Sequence, residues 1–184
     1  MVFFAEHSVW KRAAQWNVVF LVSLLSNVPA HADPPKLSPA QELLIETVNQ
    51  RSESDWEAAL KIWDYAEPGY QETKSSSLLQ NMLADAGFEI ESGVADIPTA
   101  FIASATVGTD GPIIAILAEF DALPGLSQEA VPYRKKKEGC QYGHACGHHL
   151  FGVASTSAAI SLATYMKEHN LAGTIRLYLA LIHN

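Results

Sequence analysis

The stretch Pro112-Ile113-Ile114-Ala115-Ile116-Leu117-Ala118, followed at once by Glu119-Phe120-Asp121-Ala122-Leu123-Pro124, decides the fold. A continuous apolar run of this length reads as a strand buried on both faces. Its companions are strands and helices in alternation, which predicts a layered α/β domain with helices covering a central sheet. Glu119 and Asp121 then stand at the C-terminal end of a central strand, where open α/β sheets usually place ligands. Ordinary polar residues at a strand exit are the plainer reading of the same pair.

On the N-terminal side, Ser38-Pro39-Ala40-Gln41 predicts a helix start, with serine as cap, proline in the first turn and glutamine at the capping-box position. Ser54-Asp55-Trp56-Glu57 repeats the signature and predicts a second helix, with Trp56, Leu60 and Trp63 on its core face and its end near Pro68-Gly69. A third helix is expected from about Thr73 to Asp85, with Leu78, Leu79, Met82 and Leu83 inward and Gly87 as its stop. The period then shortens. Phe88–Glu91 and Thr99–Ala105 read as strands. On the C-terminal side, an alanine-rich helix is expected from Leu150 to about Lys167, deep in the fold. A last strand should follow over Thr174–Ala180.

The chemistry concentrates in Gly143-His144-Ala145-Cys146-Gly147-His148-His149. Thiolate and imidazole are ligand types that suit zinc and its transition-metal neighbours. Cys146 and His148 are two apart, so on a turning backbone, though not on a helix, both can reach one ion. A helix N-terminus just beyond them favours the thiolate. Asp121 is the candidate to bind the same metal or to fix the tautomer of a metal-bound histidine. His144 and His149 have no assigned role at this level. A disulfide between Cys140 and Cys146 is the alternative for the thiols, but it leaves the histidine spacing unexplained.

Composition excludes several classes. The 184 residues are 48% apolar and 17% charged, with a net charge of −8, which is globular and makes nucleic acid an unsuitable partner. The basic run Arg134-Lys135-Lys136-Lys137 reads as a solvated surface segment. Lys11 and Arg12, the apolar run Val18–Leu25, Pro29 and then Ala30-His31-Ala32 predict a signal peptide over residues 1–32, cleaved after Ala32. The mature chain is accordingly expected to be periplasmic or secreted, with a linker and N-terminal helix over residues 33–53.

Four ordered segments resemble the metal-dependent amidohydrolases of the aminoacylase/carboxypeptidase peptidase family, in the branch of the p-aminobenzoyl-glutamate and auxin-conjugate hydrolases. They are Ile62–Thr73, Gly93–Phe101, Glu119–Leu126 and Gly143–His148. The resemblance implies a two-metal hydrolase, with zinc or manganese, that cleaves the amide of a small N-acyl or N-aroyl amino acid through a metal-polarised water. It implies Cys146 and His148 as metal ligands and Asp121 as the orienting carboxylate. It implies homodimeric full-length relatives. Residues 54–184 then correspond to the N-terminal portion of a catalytic domain with a mixed central sheet. The Glu-Glu pair that the family carries after the strand at Gly173–Tyr178, one glutamate being the general base, has no counterpart in Leu179–Asn184. Nor does the lid or dimerisation domain. A truncated chain, inactive alone and with its last strand left as an open edge, is the expectation; a non-catalytic exported metal-binding protein or one subunit of a split enzyme are the alternatives.

Overall fold

The structure, a computed structural model, describes residues 36–180. The expected signal peptide and its cleavage point lie outside the described residues, as does His183.

Helix α1 spans Pro39–Tyr65, and its start is the one the sequence predicts. Gln41 N–H donates to Ser38 Oγ at 3.3 Å and Ser38 N–H donates to Gln41 Oε1 at 2.8 Å, so both halves of the capping box are made. The second predicted helix start is corrected: Ser54–Glu57 lies inside α1. No glycine or proline interrupts Asn49–Glu53, and the capping-type side chains are used sideways instead. Ser54 Oγ donates to Arg51 O, while Asp55 pairs with Arg51 at 3.2 Å and accepts from Ser157. The core face of α1 also differs from expectation. Trp56 is 57% exposed and Leu60 46%, while Ala58, Ala59 and Ile62 are buried. The buried stripe of α1 is thus formed mainly by small side chains.

Helix α2 (Thr73–Asp85) buries Leu79 and Leu83, with Leu78 and Met82 packed beside them, as expected. Gly87 ends it at φ +86°, a left-handed conformation that costs glycine little, and Phe88 N–H returns to Leu83 O at 3.0 Å. The strands follow: β1 (Glu89–Ser92), β2 (Phe101–Val107), β3 (Ile113–Ala118), β4 (Leu123–Pro124) and β5 (Tyr142–Gly143). Helix α3 (His148–Glu168) and strand β6 (Gly173–Leu179) complete the described chain. The main sheet runs β1-β2-β6-β3; β1, β2 and β6 pair antiparallel, and β3 pairs parallel with β6. The sheet is mixed, as expected, and β3–α3–β6 is its parallel crossover.

Register sets one sheet face. Phe101 sits opposite Leu179, Ala103 opposite Leu177 and Ala105 opposite Ile175. These side chains meet Leu79 and Leu83 of α2 and Val153 and Ile160 of α3 in one apolar cluster. Two expectations about strand position are corrected. β6 lies between β2 and β3, so the last described strand is internal and not an open edge. β3 is instead at the sheet edge among the described residues, with Ile113 60%, Ile114 44% and Leu117 62% exposed. An apolar run is compatible with burial on both faces but does not state it; here only Ala118 of β3 is buried.

Candidate metal centre

The site grows from the C-terminal end of β3 and the first turn of α3, the place where a parallel crossover leaves a crevice. Phe120, 0% exposed, plugs the core between Glu119 and Asp121 and fixes both carboxylates at the strand exit. Gly152 lets α3 lie against that exit: a Cβ there would meet Glu119 O at 2.7 Å. The loop between α1 and α2 clamps it from the other side, since Ala122 N–H donates to Glu67 O at 2.8 Å. The Glu67 carboxylate in turn accepts from the N–H groups of Lys74 and Ser75 at 3.0 and 2.9 Å, capping α2.

His148 is the first residue of α3 and is buried. Its Nδ1–H donates to Asp121 Oδ1 at 2.9 Å and lies 3.1 Å from Asp121 O. That contact leaves Nε2 directed to Glu119 Oε2, 2.8 Å away. The three residues offer donor atoms that all lie within 4.8 Å of one another. Donors about 2.1 Å from a shared ion stand up to about 4.2 Å apart, so small side-chain rotations suffice to close on a cation. One imidazole and two carboxylates suit a divalent transition metal. The residues fit such an ion, which His148 and Glu119 would hold.

The predicted residues divide. Asp121 and His148 are brought together by the hydrogen bond at Nδ1. Cys146 lies in the turn one glycine before α3, with an exposed thiol outside the three-residue cluster. The expected turn-then-helix arrangement is present, but it points the two residues into different environments. Both cysteines are free, so the disulfide alternative is not formed; Cys140 S–H donates to Tyr142 O at 3.2 Å. Glu119 joins the cluster, although no separate role was legible for it in the chain. The signal was its spacing of two from Asp121.

His144 and His149 pack with Trp63 as an aromatic wall: the histidine rings are 4.9 Å apart and Trp63 lies 5.1 Å from His149. His144 donates Nε2–H to Ile62 O at 3.0 Å. Burial first, and then the neighbouring His149, pushes its pKa down to about 4, so its ring is neutral. Burial also lowers the pKa of His149. Glu72 is fully buried and accepts from Thr99 Oγ1 at 2.7 Å, while its Oε1 has no hydrogen-bond partner among the described residues. Burial raises its pKa, with the Thr99 bond opposing. A carboxyl whose folded pKa is raised contributes stability below its unfolded value, and that contribution is lost as pH climbs through the folded value. Glu72→Gln is therefore expected to raise Tm at pH 8 and to leave it unchanged near pH 4. A scan of Tm against pH checks this, and equal Tm values at pH 8 would refute it.

The fold and the cluster define a mixed α/β domain with a carboxylate–imidazole centre at a strand end. No protein-family model matches the chain. It is 39% identical over 127 residues to a component of the p-aminobenzoyl-glutamate hydrolase of Escherichia coli (strain K12), covering 64% of this chain and 24% of that one. It is 31% identical over 160 residues to the Arabidopsis thaliana IAA-amino acid hydrolase ILR1-like 2, covering 86% and 34%. A Bacillus subtilis protein described as a dinuclear metal-binding peptidase of the M20 family superposes with a TM-score of 0.50 at 26% identity, over 75% of this chain and 35% of that one. The chain is thus similar to the N-terminal part of these hydrolases. It spans about a quarter to a third of the length of the curated relatives it matches.

Proposed function

We propose that this chain supplies the N-terminal part of the metal centre of an amidohydrolase that splits the amide bond of small N-acyl or N-aroyl amino acids. The observation that carries the reading is the His148 ring, held on Nδ1 by Asp121 and facing Glu119 with Nε2. In this reading His148 and Glu119 hold a divalent ion, zinc or manganese, and Asp121 keeps the imidazole in the tautomer that offers Nε2. The resemblance adds Cys146 as a ligand, although its exposed thiol lies outside the Glu119–Asp121–His148 cluster. The ligands of a second ion and the general-base glutamate come from outside residues 36–180.

A bound ion supplies Lewis acidity to the amide carbonyl and acidifies an attacking water. The chain's own groups do the rest that can be read here. The neutral His144 ring and the buried His149 ring line one side of the site, and Trp63 beside them presents an aromatic wall to an acyl group. The hydrolases of p-aminobenzoyl-glutamate and of IAA-amino acids among the relatives support substrates of that kind. Residues 1–32 are taken as a cleaved leader, so that the enzyme acts outside the cytoplasm.

The test is equilibrium dialysis of the purified mature chain against zinc and manganese, followed by assay of p-aminobenzoyl-glutamate cleavage. Retention of about one ion per chain supports the reading. A chain that stays metal-free at micromolar metal sinks it. Retention without cleavage, even beside a polypeptide supplying the remaining ligands, leaves the non-catalytic metal-binding role. The mass of the same preparation should begin at Asp33; an intact Met1 contradicts export.

A further inference from the structure

The basic run Arg134–Lys137 faces solvent as the sequence predicts, with Arg134, Lys135 and Lys136 exposed, and it lies in a hydrogen-bonded loop. Gln128 organises it: Nε2 donates to Glu129 O at 2.9 Å and to Tyr133 O at 2.8 Å, while Oε1 accepts from Lys135 N–H at 3.1 Å. Glu129 N–H closes the ring onto Lys135 O at 2.8 Å. Lys137 then pins the loop to the end of α1 through an ion pair with Asp64, next to Trp63.

The loop holds Arg134 on the wall of a cleft of about 320 Å³, together with Trp63, Ser127 and His144. That volume is at the lower end for a small-molecule site. Arg134 has no ion-pair partner among the described residues, in a chain whose net charge is −8. A guanidinium is the side chain best suited to grip a carboxylate with paired hydrogen bonds. His144 also lines the cleft, and its ring is 4.9 Å from that of His149, the sequence neighbour of His148.

We propose that Arg134 is a specificity-determining residue: it receives the carboxylate of a small acyl-amino acid whose acyl group lies along Trp63. The orientation of that ligand rests on the amidohydrolase reading; the recognition of a carboxylate does not. The amide isostere of the same ligand, which has no charge to offer, is the disfavoured partner.

Binding of N-benzoylglycine and of N-benzoylglycinamide to the full chain, followed by calorimetry, tests this without any turnover. The acid should bind about tenfold more tightly than the amide or better, the scale of a charge-assisted hydrogen bond. Arg134→Ala should erase that preference and Arg134→Lys keep part of it, with the thermal unfolding of both variants unchanged. Equal affinity for acid and amide, no binding of the acid, or a preference that survives Arg134→Ala would each overturn the proposal. Zinc retention measured on the same samples separates the two readings. Metal held without carboxylate preference removes only the role of Arg134. A preference that depends on Arg134, in a chain that holds no metal, removes only the amidohydrolase centre.

Discussion

Replacing His148 by alanine is expected to abolish retention of a divalent ion, weakening affinity by at least about 100-fold. The imidazole is the one ring that touches both carboxylates of the site, and Nε2 is the atom left to face a cation. Removing it also leaves the Asp121 carboxylate, 2% exposed, without its imidazole donor, and a buried acceptor left unsatisfied costs about 1–3 kcal/mol or more. Asp121→Asn separates the two effects. The amide oxygen still accepts from Nδ1–H, so folding should hold, while loss of the carboxylate lowers affinity about 10–100-fold. Competition with a chromophoric chelator measures both variants. A His148→Ala chain that holds metal as tightly as the parent would remove His148 from the centre.

Phe120→Ala should cost about 3–5 kcal/mol of folding stability, a large share of the roughly 5–15 kcal/mol that a domain has. Phe120 is fully buried in the cluster that joins α2, α3 and the sheet. Because Glu119 and Asp121 flank it, the cavity should also loosen both carboxylates, so metal affinity falls with stability. Urea unfolding of the metal-free chain gives the first number and chelator competition the second. A loss near 1 kcal/mol would mean that the strand exit is anchored elsewhere.

These two residues also mark what could be read in the chain. Local rules that need only neighbours in sequence were legible: the Ser38–Gln41 box, the Gly87 stop and the turn before α3. Where a feature depends on what packs against it, sequence was a poor guide. Ser54–Glu57 has the residues of a helix start, but nothing before it breaks α1, and Asp55 is drawn into bonds with Arg51 and Ser157. Trp56 and Leu60 are apolar and helical in spacing, yet the buried stripe of α1 is formed mainly by the small side chains of Ala58 and Ala59. Ile113 and Leu117 read as buried on both faces, while β3 has β6 on one side only among the described residues. Cys146 and His148 share a motif but not an environment: a turn exposes one and a helix start buries the other. Arg134 was missed because its setting is made by Gln128, six positions earlier in sequence, and by a cleft that no local pattern encodes.

The most direct test of the metal centre is anomalous X-ray diffraction from the chain loaded with one equivalent of zinc. A peak is expected about 2.0–2.2 Å from His148 Nε2 and from a Glu119 oxygen, with Asp121 on the far side of the ring at Nδ1. An ion bound elsewhere, with His148 still closed on Glu119, would contradict it.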